Sequence, residues 1–228
     1  MSLAGVIFDF DGVIADTEPL HLHAYQDVLA QTPMVLTERS YQKKYLGYDD
    51  VGVFTSLASD HKLSLTSDEL DRLITTKGNR YTELLCEENV VFPDVESCLE
   101  KLAPNFILGI ASGALHHEIE HILRNAGLRT HFSAIVGADD VNQSKPDPET
   151  YTHTIELLCS RLHRPVSASG FVAIEDSAWG ISSARAAGLP CIAVTNTYQA
   201  VDLADATKII TSLSDIDVPM LEMLARNE

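Results

Sequence analysis

With one long interruption, the chain alternates short apolar runs with longer helical patterns, and this rhythm limits the fold more than any other feature. Runs of strand character fall at 4–9, 106–111, 133–137, 171–175, 190–195 and 207–211. Helical spacing fills 95–103, 114–126, 148–162 and 177–187. Strands that alternate with helices predict an α/β fold: a doubly wound, Rossmann-like parallel sheet covered on both faces. The punctuation agrees with the rhythm. Asp147-Pro148 reads as a helix N-cap followed by proline at the first helical position, and Gly127 and Gly188 sit where helices end. The interruption, 18–89, is helix-rich with little strand signal. Thr66-Ser67-Asp68-Glu69 forms a capping-box pattern that opens a long helix running to about Glu88. The expected organisation is therefore a core of 1–17 and 90–228 with an inserted helical domain at 18–89.

The balance of residues removes several function classes. Sixteen basic against thirty-three acidic residues give a net charge of −17, so nucleic acid and anionic membrane are poor partners for the surface as a whole. An anionic substrate then needs local cations or a metal. Cys86, Cys98, Cys159 and Cys191 are scattered without a C-x-x-C pair, and no signal peptide is evident, so reduced thiols in a cytoplasmic protein are expected. No apolar run is long enough to span a bilayer.

The first strand runs directly into Asp9-Phe10-Asp11-Gly12. Two carboxylates at i and i+2, where a buried strand meets a glycine turn, repel each other and lose hydration unless a cation joins them. Three more polar clusters stand at predicted strand ends or just beyond: Ala111-Ser112-Gly113, Ser144-Lys145-Pro146-Asp147-Pro148 and Glu175-Asp176-Ser177. In open α/β sheets that edge is where ligands bind.

These four motifs, in this order, resemble those of the haloacid dehalogenase superfamily of phosphatases and phosphomutases, and the resemblance covers nearly the whole chain. The helical insertion is similar to that family's type-1 cap. The resemblance implies that Asp9 is a nucleophile forming an aspartyl phosphate and that Asp11 is the general acid and then base. It implies that Ser112 and Gly113 bind phosphate oxygens with help from a helix N-terminus. It also implies that Lys145 offsets charge between Asp9 and phosphate. The resemblance further implies that Mg²⁺ is held by Asp9, Asp176 and the main-chain carbonyl of Asp11, with Glu175 as a further ligand or beside the site.

Within the insertion, His21 and Lys77 match cap residues of the β-phosphoglucomutase branch. Gly47-Tyr48-Asp49-Asp50 departs from it, because acids stand where the mutases carry an arginine for the distal phosphate. The expected function is a Mg²⁺-dependent phosphatase acting on small phosphorylated metabolites, sugar phosphates among them, as a monomer. The alternatives are a mutase-like phosphosugar isomerase, a phosphonate hydrolase using Lys43, Lys44 or Lys77, and a silent binding protein. His117-Glu118-Ile119-Glu120-His121 also matches the H-E-x-x-H zinc signature. Its helix, however, is expected to bury Leu115, Ile119, Ile122 and Ala126 and to turn both histidines to solvent, which disfavours a zinc hydrolase.

Overall fold

A computed structural model of the chain describes residues 3–87 and 89–224. These belong to two compact units, Met1–Asp16 with Val90–Glu228, and Thr17–Asn89.

The first unit is built on six strands: β1 (Gly5–Phe8), β2 (Ile107–Ala111), β3 (Phe132–Val136), β4 (Phe171–Glu175), β5 (Cys191–Val194) and β6 (Lys208–Ile210). They pair in the order β3-β2-β1-β4-β5-β6, every neighbour parallel. Parallel strands in a sheet covered on both faces read as continuous apolar runs, and all of β1, β4 and β5 is buried. From β1 the chain steps one way to β2 and β3, then returns to the other side of β1 for β4, β5 and β6. The order therefore reverses between β1 and β4, and outside the carboxyl ends of strands at such a reversal is where open α/β sheets bind their ligands.

The helices of this unit are α5 (Val95–Leu102), α6 (His116–Asn125), α7 (Glu149–Leu162), α8 (Ala178–Ala186) and α9 (Val218–Leu224). On α5, Val95, Cys98, Leu99 and Leu102 repeat at helical spacing and are all buried. On α7, Tyr151, Thr154 and Leu158 do the same. One core cluster joins Ile7, Ala111 and Ala173 of the sheet to Tyr151 and Leu158 of α7 and Ile181 of α8.

The helical insertion contains α1 (Glu18–Leu29), a short α2 (Glu38–Ser40) that runs into a wide π turn at Tyr41–Tyr45, α3 (Asp50–Asp60) and α4 (Ser67–Glu87). It has its own core, in which Tyr25, Leu29, Val53, Phe54 and Leu57 pack together. The Thr66 capping box is formed: the Thr66 N–H donates to Glu69 Oε2 at 2.8 Å, and the Glu69 N–H donates to Thr66 Oγ1 at 3.3 Å. Glu88, expected at the end of this helix, lies outside the described residues.

Two local expectations are corrected. The N-cap of α7 is Pro148, one residue later than expected, although Asp147 still caps the helix by accepting the Glu149 N–H through Oδ1 at 2.9 Å. Leu115 is not part of the buried stripe of α6. It is the N-cap and is 41% exposed, while Leu123 takes the buried place beside Ile119 and Ile122. Its side chain precedes the first helical turn, so helical periodicity does not govern where it points. Gly127 and Gly188 follow α6 and α8 with φ of +73° and +84°, as helix-ending glycines do.

Candidate active site

Strand register brings the chemistry together. Phe8 pairs with Ile110 on one side and Ile174 on the other, so the next residues along the three strands are Asp9, Ala111 and Glu175. The ladder extends one step further, because the Asp9 N–H donates to the Ile174 carbonyl at 2.8 Å. Beyond β1 the chain folds tightly on itself: Phe10 is fully buried, and the Gly12 N–H donates to the Ala15 carbonyl at 2.8 Å. Gly12 has a φ of +75°, and a Cβ there would lie 1.9 Å from Asp176 Oδ2. Only glycine satisfies both conditions. The turn therefore presses its backbone against a site carboxylate, and Asn196 ties it down by donating to the Gly12 carbonyl at 2.8 Å.

Asp9, Glu175 and Asp176 are all buried, and each offers an oxygen within 4.8 Å of the others. Lys145 reaches in from the loop before α7 and donates to Asp9 Oδ1 at 2.8 Å and to Glu175 Oε1 at 2.6 Å. One ammonium among three buried carboxylates leaves the group short of positive charge, and the titration directions record this. Burial pushes Asp9 up to about 7, helped by Glu175 and, more weakly, Asp11, against the pull of Lys145. Asp176 is pushed well above the usual carboxylate range by burial, Asp9 and Glu175. Burial works against the Lys145 charge, but Asp9 and Glu175 outweigh it and raise that group. An oxygen-only donor set with unbalanced negative charge suits a hard divalent cation, and Mg²⁺ fits it.

The sequence-predicted site residues fall into three groups. Asp9, Lys145, Glu175 and Asp176 meet directly, and Asp11 lies within electrostatic reach of Asp9 on the same turn. Ser112 and Gly113 follow β2, the strand beside β1; Ser112 is buried, and its hydroxyl accepts the Ala114 N–H at 3.0 Å. His21 and Lys77 meet each other within the helical unit. Lys77 Nζ lies 2.8 Å from His21 Nδ1 and 2.8 Å from Asp50 Oδ1, over the rings of Tyr25 and Tyr81. Burial and the Lys77 charge hold His21 well below the usual imidazole range, so its neutral ring accepts at Nδ1.

The acids of Gly47-Tyr48-Asp49-Asp50 are spent locally. Asp49 caps α3 by accepting the Gly52 N–H at 2.7 Å, and Asp50 accepts from Lys77 and from the Tyr25 hydroxyl at 2.5 Å. Neither is a bare repulsive charge. On α6, His117 is exposed and His121 Nε2 lies 2.9 Å from Asn125 Nδ2. Among the described residues, the His, Cys, Asp or Glu group able to hold a metal is the Asp9 cluster, and the H-E-x-x-H segment is outside it.

Three participants escaped the sequence reading. Tyr151 donates its hydroxyl to Glu175 Oε1 at 2.7 Å, Thr197 hydrogen-bonds the Asp176 side chain, and Asn196 holds the Asp9–Gly12 turn. The last two stand just past the carboxyl end of β5, so the strand-end argument applied to that strand finds them. Tyr151 carries no such signal, because its spacing on α7 marks it only as core.

Residues 6–194 match the family described as haloacid dehalogenase-like hydrolase. The chain is 30% identical to the fructose-1-phosphate phosphatase YqaB of Escherichia coli, over 84% of this chain and 96% of that protein. It is 26% identical to a phosphoglycolate phosphatase of Mesorhizobium japonicum, over 99% and 98% of the two chains. Its fold is similar to that of a β-phosphoglucomutase from Clostridium difficile, with a TM-score of 0.81 at 21% identity, covering 98% and 97% of the two chains. The sheet order, the buried Asp9 cluster with its lysine and the match over most of the sequence agree: the chain belongs to the haloacid dehalogenase-like hydrolases, among their phosphatases.

Proposed function

We propose that the protein is a Mg²⁺-dependent phosphatase that releases phosphate from small phosphorylated metabolites, sugar phosphates among them, through an aspartyl-phosphate at Asp9. The observation that carries this reading is Lys145 bridging Asp9 and Glu175 at the switch point of the sheet, beside Asp176. Asp9 forms the bond to phosphorus as the substrate's ester oxygen departs. Asp11 gives that oxygen its proton, then takes one from water for hydrolysis of the acyl phosphate. A separate acid is required because Asp9 is esterified in between. Lys145 lowers the repulsion between carboxylate and phosphate, and the hydroxyl of Ser112 with the amide of Gly113 receives phosphate oxygens. Asp9, Asp176 and the Asp11 carbonyl would hold Mg²⁺, which supplies charge neutralisation at the transferring phosphoryl group.

The helical unit of residues 17–89 is the cap in this reading, and it selects the leaving group. Relatives support the choice of substrate class: one is a fructose-1-phosphate phosphatase and another a phosphorylated carbohydrates phosphatase.

The test is phosphate release with Mg²⁺ across several dozen phosphorylated sugars, polyols and small acids. Activity on monophosphate esters is expected, reduced about 10³-fold or more by Asp9→Asn and about 10²–10⁴-fold by Asp11→Asn. Interconversion of phosphosugar isomers without net phosphate release would assign the mutase reaction instead. No turnover of any substrate would overturn the enzyme reading.

A further inference from the structure

We propose that Glu175 is a positioning residue that holds the Lys145 ammonium against Asp9, rather than a metal ligand, and that the Tyr151 hydroxyl locks it in this pose. The proposal deepens the functional reading above and rests on Asp9 as the nucleophile.

An ionised carboxylate has about four lone-pair sites on its two oxygens. On Glu175 all are addressed by protein donors. Oε1 accepts from Lys145 Nζ at 2.6 Å and from the Tyr151 hydroxyl at 2.7 Å. Oε2 accepts from the Asp176 N–H and the Ser177 hydroxyl, both at 3.3 Å. One side of the group is closed by the first turn of α8, where a Cβ on Gly180 would lie 1.9 Å from Oε2. Asp9 differs: among the described residues it accepts from Lys145 alone, through Oδ1. Asp176 has the Thr197 hydroxyl as its side-chain partner. Of the three carboxylates, then, Glu175 has the least capacity left for a cation, although its position in the chain would suit one equally well.

Tyr151 is placed to hold both members of the pair. Its hydroxyl meets Glu175, while Lys145 Nζ lies over its ring, 5.0 Å from the centroid. Phenylalanine would keep the ring and the packing and lose only the donor. The hydroxyl therefore belongs to the electrostatics of the site and not to the core.

The test uses the whole protein and two readouts besides turnover. The first is the ¹H–¹⁵N signal of the Lys145 ammonium in metal-free protein, assigned with Lys145→Arg. Tyr151→Phe is expected to speed its hydrogen exchange about 2–10-fold, the range one hydrogen bond commands, while the thermal midpoint shows the fold intact. The second is calorimetric titration with MgCl₂. Tyr151→Phe is expected to stay within about threefold of wild type and Glu175→Gln within about tenfold, while Asp176→Asn loses about 100-fold or more. The proposal is overturned if Glu175→Gln loses as much Mg²⁺ affinity as Asp176→Asn, or if the Lys145 signal in Tyr151→Phe is that of wild type. Failure of the phosphatase reading would show separately, as absent turnover by the wild-type protein.

Discussion

Asp9 carries a conflict between burial and charge. Its carboxyl is pushed up from 3.8 to about 7, chiefly by burial, so the metal-free protein folds best with that group neutral. The sign follows from linkage: a raised folded-state value means stability present below about pH 4 and lost as the pH climbs to about 7. Asp9→Asn mimics the neutral form. It is expected to raise the metal-free melting temperature at pH 8 by about 2–10 °C, corresponding to roughly 1–3 kcal/mol, and by less at pH 5. Added Mg²⁺ should stabilise wild type more than Asp9→Asn. Calorimetric scans at the two pH values, with and without MgCl₂, check this; a lower midpoint for Asp9→Asn at pH 8 would refute it. Residue-scale strain of this kind is what a site built to receive a cation displays.

At the scale of elements, α1 and α4 are joined by a part-buried polar contact as well as by the exposed Arg80–Asp27 pair. His21 on α1 accepts from Lys77 on α4 and stacks on Tyr81, with ring centroids 4.1 Å apart. Because burial and Lys77 hold His21 well below the usual imidazole value of about 6.5, the unfolded chain takes up a proton first as the solution turns acid. The contact therefore contributes stability above about pH 6.5 and loses it below, by up to about 1.4 kcal/mol for one pH unit. Urea midpoints at pH 7.5 and 5.5 measure the loss. His21→Gln keeps an oxygen acceptor for Lys77 and removes the titrating ring, so its midpoint should fall less on acidification. An equal fall would place the acid sensitivity elsewhere.

For the molecule as a whole, the helical unit has a core of its own, and this implies a level of stability of its own. Phe54 is fully buried in the core of the helical unit, against Tyr25 with ring centroids 5.3 Å apart. Phe54→Ala should cost about 3–5 kcal/mol in that unit, as large-to-small core substitutions do. Amide exchange is expected to lose protection in α1, α3 and α4 while β1, β2 and β4 keep theirs. Equal loss in both units would show that they open as one. Among the described residues no helix is long and apolar enough to cross a membrane.

The fold class and most of the candidate site were legible in the chain itself, for a physical reason. Hydrophobic period and turn residues are local properties, so all six strands and the helices between them could be read within a residue or two. Asp9, Ser112, Glu175 and Asp176 stand at or just past the ends of those strands, with Asp11 on the turn that follows and Lys145 in the loop before α7, and parallel pairing in a doubly wound sheet gathers such ends at one edge. What the chain alone left open was partnership. Whether Asp50 faces outward as a charge or neutralises Lys77, whether Leu115 is core or cap, and whether the Tyr151 hydroxyl reaches Glu175 all depend on side-chain directions. Those directions are set by contacts between residues from 24 to 27 positions apart, and for Lys145 and Asp9 by 136. No local pattern encodes such distances; packing decides them.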